Sequence, residues 1–205
     1  MHVDLLGPAG RIEGLLESPE SPRFAALVLH PHPLFGGTMH NHATYQIAKG
    51  ARLAGGASLR IQFRGVGLSE GVHGGGPGEL ADARAALLWL AGHHPGLPLL
   101  VGGMSFGSWI ALQLGCGDPE VEGVLAAGLA SRILALGSLP DCPKRVAAIQ
   151  ATGDEFGPVD EVERLMAGPS DRRRLVLLGG ATHLFLEDLG GLQREARAAW
   201  EWLAA

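Results

Sequence analysis

Ser105 sits in the stretch VGGMSFGSW, residues 101–109, with a glycine two residues away on either side. A serine hydroxyl attacks a carbonyl only if a base takes its proton and a carboxylate orients that base. Gly-x-Ser-x-Gly suits this chemistry when a strand precedes it and a helix follows. The turn is then too tight for side chains two residues from the serine, and it lifts the hydroxyl to a helix N-terminus. The pattern alone is weak in a chain with 32 glycines, where a serine N-cap after a Gly-rich turn reads the same way.

Downstream of Ser105 there is one histidine, His183 in GGATHLF, just after an apolar run. The expected order of partners after a serine in this setting is acid, then base. The run AAIQAT ends in Gly153-Asp154-Glu155, so Asp154 directly follows a strand and Glu155 is the alternate. Asp141, Asp160, Asp171 and Asp188 lie away from strand ends and read as solvated surface. A tetrahedral oxyanion also needs two backbone N–H groups aimed at one point. Phe106, next after the serine, is one candidate; the other should come from the loop HPHPLFGG, residues 30–37. Proline has no N–H, which leaves His32, Leu34 or Phe35, with Leu34 favoured.

Two other chemistries fit these residues less well. His30 and His32, with His40 and His42, form two i,i+2 pairs without a nearby Cys or carboxylate, a poor match to zinc spacing. A structural role, with His30 or His32 bonding loop backbone, suits them better, and no metal is expected. FRGVGLSEG, residues 63–71, is Gly-rich but lacks the Lys-Ser/Thr of a phosphate loop and does not open directly into a helix. It reads as a structural loop in which Arg64 and Ser69 pin their neighbours.

The elements that must position these residues alternate. Val3–Leu6 and Arg11–Glu17 flank a turn and suggest a hairpin; Phe24–His30, Ala57–Phe63, Leu99–Gly103, Val121–Ala127, Val146–Thr152 and Arg174–Leu178 read as strands. Helices are expected at His40–Ala54, Pro77–Ala91, Phe106–Leu114, Val159–Met166 and Leu189–Leu203. The implied α/β fold is a mostly parallel sheet covered by helices on both faces, with an antiparallel start, in a single domain over residues 1–205. Sites in such sheets lie beyond the carboxyl ends of the strands. Ser105, Asp154 and His183 all follow apolar runs.

Composition bounds the partners. Hydrophobic residues make up 46% and charged residues 18%, with a formal charge of −5 and only Arg172-Arg173-Arg174 as a run. This describes a globular protein without a nucleic-acid footprint. Leu99–Gly117 carries no charge, yet its glycines split it into strand-sized and helix-sized pieces, so neither a membrane span nor a membrane partner is expected. Cys116 and Cys142 lack metal or framework spacing, and the opening residues lack a basic-then-apolar leader; free thiols in a cytoplasmic protein are the expectation.

Together these residues resemble the α/β-hydrolase superfamily, and within it the small lidless bacterial hydrolases related to dienelactone hydrolase. The likeness runs from about Phe24 to Trp202. HPHPLFGGTMHN looks like the HPHP-x-x-GGT-M loop of one bacterial group, FRGVGLSEG like the superfamily's R-G-x-G-x-S-x-G loop, and GELADARAALLWL like the helix after it. GMSFG looks like the nucleophile elbow, GDEFGPV like the acid-bearing region, and ATHLF like the base-bearing one. The resemblance selects Asp154 over Glu155. It implies a Ser105–His183–Asp154 triad that hydrolyses small acyl esters or thioesters through an acyl-enzyme, without a cofactor. Dienelactone hydrolase itself uses cysteine, from which Ser105 departs. Many relatives insert a helical cap between the sixth and seventh strands; here that interval, about Ser131 to Lys144, is too short for a helical hairpin. An open site rimmed by Leu34, Phe35, Phe106, Trp109, Phe156 and Phe185 is expected. The alternative from another class is a catalytically idle hydrolase fold that serves as a binding module.

Overall fold

The computed structural model describes residues 1–137, 139 and 141–205. In chain order the elements are β1 (His2–Gly7), β2 (Gly10–Glu17), β3 (Ala25–Leu29), α1 (His42–Leu53), β4 (Ala57–Ile61), α2 (Pro77–His93) and β5 (Leu99–Met104). There follow α3 (Phe106–Gly117), β6 (Val121–Ala127), β7 (Arg145–Ala151), α4 (Val159–Leu165), β8 (Arg173–Leu178) and α5 (Leu189–Leu203). Every expected strand and helix is present, within a few residues at each end. Two 3-10 turns, Pro33–Phe35 and Leu186–Asp188, were not anticipated.

The strands form one sheet in the order β1-β2-β4-β3-β5-β6-β7-β8. The β1–β2 hairpin joins antiparallel to β4, and all pairs from β4 onward are parallel. Period-two alternation divides the core into two layers. Ala25, Leu27 and Leu29 of β3 pack with α2 and α3, while Phe24, Ala26 and Val28 pack with α1 and α5. Residues of β3 and β4 are buried on both faces, which explains the continuous apolar run of β3, while β4 buries Ser58 and Arg60 among its apolar residues.

Helices α1 and α5 lie close enough that a Cβ on Gly50 would come within 2.9 Å of Ala196. The Trp200 indole donates to the Ile47 carbonyl at 3.0 Å across that seam. Asn41 caps α1 by accepting from the Ala43 and Thr44 N–H groups.

Because β3 to β8 run parallel, the loops that follow them gather at one edge of the sheet, with β5 near the middle. Among the described residues no helix lies between β6 and β7, so no cap covers that edge. Among them, too, no helix is long and apolar enough to cross a membrane.

One expectation fails here. Cys116 on α3 and Cys142 in the β6–β7 connection are not free thiols but a disulfide, with Cα atoms 5.1 Å apart and a sequence separation of 26. The connection folds back over the end of α3, a long-range placement that spacing does not reveal. The thiol argument for a reducing compartment goes with it.

Candidate active site

The turn between β5 and α3 holds Ser105 at φ 54°, ψ −115°, in the left-handed half of the map that non-glycine residues rarely occupy. Its backbone is held from two sides: the Ser105 N–H donates to Ala127 of β6 at 2.9 Å, and its carbonyl accepts from the buried Ser108 hydroxyl at 2.6 Å. Neither flanking glycine could carry a side chain. A Cβ on Gly103 would stand 2.4 Å from the Gly107 backbone, and one on Gly107 would stand 2.4 Å from the Leu29 carbonyl oxygen.

The Ser105 Oγ lies 2.9 Å from His183 Nε2, and His183 Nδ1 lies 2.8 Å from Asp154 Oδ2. With Nδ1 facing a carboxylate, the imidazole proton sits on Nδ1 and Nε2 is the acceptor for the serine hydroxyl. Three loops, after β5, β7 and β8, therefore bring together side chains up to 78 residues apart. Glu155 is exposed and takes no part.

Asp154 is buried and fully partnered. Besides His183, its Oδ2 accepts from Gln150 Nε2 at 2.8 Å, and its Oδ1 accepts from the Phe156 and Gly157 N–H groups at 2.9 and 3.2 Å. The sequence reading missed Gln150. Its amide also donates to the Gly157 carbonyl and accepts from the Leu129 N–H, so it ties the acid-bearing turn to the β6 side of the site. The signal was a lone amide inside the apolar strand VAAIQA.

The loop after β3 engages two of the three candidate N–H groups within itself, including the favoured one. The Leu34 N–H, favoured from the sequence, donates to His32 Nδ1 at 3.2 Å, and the Phe35 N–H donates to the His32 carbonyl at 3.1 Å. Of the three candidates, only His32 has an N–H with no acceptor among the described residues, and the Phe106 N–H has none either. The His32 ring lies 4.8 Å from that of Phe106, which places the two residues side by side. Burial, then the neighbouring His73, holds the His32 imidazole below its ordinary pKa and keeps Nδ1 an acceptor.

His30 is wholly buried beneath the same loop. Its Nδ1 donates to the Pro31 carbonyl at 2.6 Å and its Nε2 accepts from the Phe63 N–H at 3.1 Å. Burial pushes its pKa down to about 4. Both histidines thus bond loop backbone, and among the described residues no group of three or more His, Cys, Asp or Glu could hold a metal ion.

The Arg64 loop is pinned as expected. Arg64 forms a two-pronged bond to the buried Asp82 of α2 at 2.9 and 2.7 Å, and the Ser69 hydroxyl bridges the Gln62 carbonyl and the Glu13 N–H. Below it, burial would raise the Glu79 carboxyl, but the Gly74 and Gly76 N–H groups and nearby His73 hold it below its usual range.

The rim needs correction. Phe156 borders the site, its ring 4.9 Å from that of His183, and Phe35 is exposed beside His32. Phe106 is buried against Phe63 and His32. Trp109 donates its indole N–H to Ala135 and lines a groove of about 640 Å³ along α3 and the disulfide. Phe185 is not on the rim: it adopts φ 57° and turns its ring fully into the core on the α5 side. Its neighbours Leu184 and Leu186 face solvent instead.

No protein-family model matches the chain. An uncharacterised protein of Rickettsia prowazekii is 38% identical over 189 residues, covering 87% of this chain and 79% of the relative. Among solved structures, an α/β serine hydrolase homologue from Coxiella burnetii superposes with a TM-score of 0.90 at 28% identity, covering 97% of this chain and 96% of the other. A protein of unknown function from Agrobacterium tumefaciens, classed with the α/β hydrolases, superposes with a TM-score of 0.87 at 34% identity, covering 97% and 94%.

Proposed function

The chain belongs to the α/β-hydrolase superfamily, and from that premise we propose that it is a serine hydrolase cleaving carboxylic esters or thioesters of small acyl substrates. The observation that carries this reading is the unbroken hydrogen-bonded line from Ser105 through His183 to Asp154, standing on a strained elbow. In the proposed reaction, Ser105 Oγ attacks the acyl carbon while His183 Nε2 takes the hydroxyl proton. Asp154 holds the ring and stabilises the imidazolium. The N–H groups of Phe106 and His32 bind the oxyanion, aided by the N-terminus of α3. His183 then returns the proton to the leaving alcohol or thiol. Water, deprotonated by the same nitrogen, cleaves the acyl-enzyme and frees the acid. Every group this sequence of steps needs is supplied by the chain itself.

The test is labelling by a fluorophosphonate probe, which forms a stable adduct only with an activated serine. Wild-type protein is expected to label, and Ser105→Ala to lose the label while keeping its fold. A folded wild type that stays unlabelled would instead support a binding module. A panel of acyl-chain lengths, offered as both esters and thioesters, then separates the two bond types.

A further inference from the structure

We propose that the face around Ser105 docks on a neutral ester–water interface, the surface of an aggregated, uncharged lipid-like ester. This rests on the hydrolase reading above and names the physical form of its substrate.

Seven large apolar side chains stand in solvent on the loops at the carboxyl edge of the sheet: Leu34, Phe35, Leu68, Val72, Ile133, Leu184 and Leu186. Four of them expose well over half of their surface, with Phe35 at 85%, Val72 at 78%, Leu34 at 69% and Ile133 at 62%. Elsewhere the exposed large apolar residues are dispersed over separate elements, such as Leu53 on α1 and Leu88 on α2. Apolar side chains concentrated on one edge mark a docking face.

They stand on both sides of the serine. On one side, the Phe35 ring lies 4.8 Å from His32, and His32 lies 4.8 Å from both Phe106 and His73, the residue after Val72. On the other, Leu184 follows His183. The Arg132 N–H donates to the Phe156 carbonyl, which ties the backbone next to Ile133 to the residue whose ring borders His183.

Two features select the occupant. Ser105, only 8% exposed, lies between these two groups of side chains, so a protein partner seated there would seal it off, whereas an ester aggregate would deliver substrate to it. The charge also fits a neutral surface: Arg64 is paired with Asp82 and Arg132 with Glu161, while the carboxylates of Glu70, Glu155 and Glu187 stand on exposed residues of the same loops. An anionic surface would be repelled.

The experiment is flotation of the purified protein with vesicles of phosphatidylcholine, and with vesicles containing phosphatidylglycerol. Ser105→Ala is run alongside, because docking needs no turnover. Wild type and Ser105→Ala should float equally with the neutral vesicles, and the anionic ones should hold no more. A Val72→Ser/Ile133→Ser/Leu186→Ser variant should partition about ten-fold less or weaker still, while a soluble fluorophosphonate labels it at the wild-type rate. Hydrolysis of an ester followed through its solubility limit should step upward in the wild type and not in the triple variant. Absence of flotation, stronger binding to anionic vesicles, or a concentration-dependent dimer in place of vesicle binding would overturn the proposal. Flotation by a protein whose serine never labels would sink the hydrolase reading and leave the docking face standing.

Discussion

Acidifying the protein from pH 7 toward pH 4 sets His30 against its surroundings. The ring is fully buried, with one nitrogen donating to Pro31 and the other accepting from Phe63, so a second proton would remove the acceptor and leave a charge in the core. Burial is the dominant cause of its depressed pKa, about 4 against an ordinary 6.5, and outweighs the Pro31 carbonyl and Glu79, which act the other way. Between those two values the unfolded chain binds a proton that the folded chain refuses. Stability from this group is therefore intact above about pH 6.5 and declines as pH falls toward 4. The loss is about 2 kcal/mol by pH 5 and about 3 kcal/mol by pH 4. The first of these lowers the midpoint of thermal unfolding by roughly 4–8 °C for a domain of this size. Urea unfolding of wild type and His30→Gln at pH 7, 6 and 5 isolates the contribution. Glutamine keeps a hydrogen-bonding amide and cannot titrate, so its stability should fall by about 2 kcal/mol less over that range. Parallel pH dependences for the two proteins would refute the argument.

Asp154→Asn should lower kcat by about 10³–10⁴ with the fold retained, because an amide facing His183 Nδ1 favours the wrong tautomer; steady-state kinetics and circular dichroism check the two halves of that statement. Reducing the Cys116–Cys142 bridge, or Cys116→Ser/Cys142→Ser, should cost about 3.5 kcal/mol for a loop of this length. Denaturant melts with and without dithiothreitol read it, and identical midpoints would mean that the bridge constrains nothing.

The parts of this molecule that were legible in its sequence are those in which local pattern and three-dimensional placement coincide. Apolar runs of strand length and helical periodicity located the elements, because burial on one or both faces imposes those periods. Ser105 and His183 were accessible because the elbow imposes its own glycines, and because one histidine follows it. The position after a strand narrowed the acid to Asp154 or Glu155, and only the family resemblance chose between them. The features that escaped depend on where a backbone turns or where distant segments meet. The left-handed conformation of Phe185 exchanges the expected exposure of three consecutive residues, hiding an aromatic ring and displaying two leucines. The side chain of His32 captures the Leu34 N–H two residues on, a local bond that residue type alone does not announce. Cys142 meets Cys116 only because its segment doubles back over α3. Gln150 looked like an interruption in a strand, and its contacts span 21 residues back to Leu129.

The order of the strands has one more consequence. The serine and its neighbouring N–H groups come from β5 and the loop after β3, whereas the base and its carboxylate arrive on β8 and β7, at the far side of the sheet. On the proposed reading, a chain whose last two strands have not yet docked carries a serine without its base, and such a serine would not react. Chemical reactivity at residue 105 is therefore a clock for refolding: it starts only when the C-terminal strands settle, and it can be timed against the burial of Trp200, whose indole meets α1 across the opposite face.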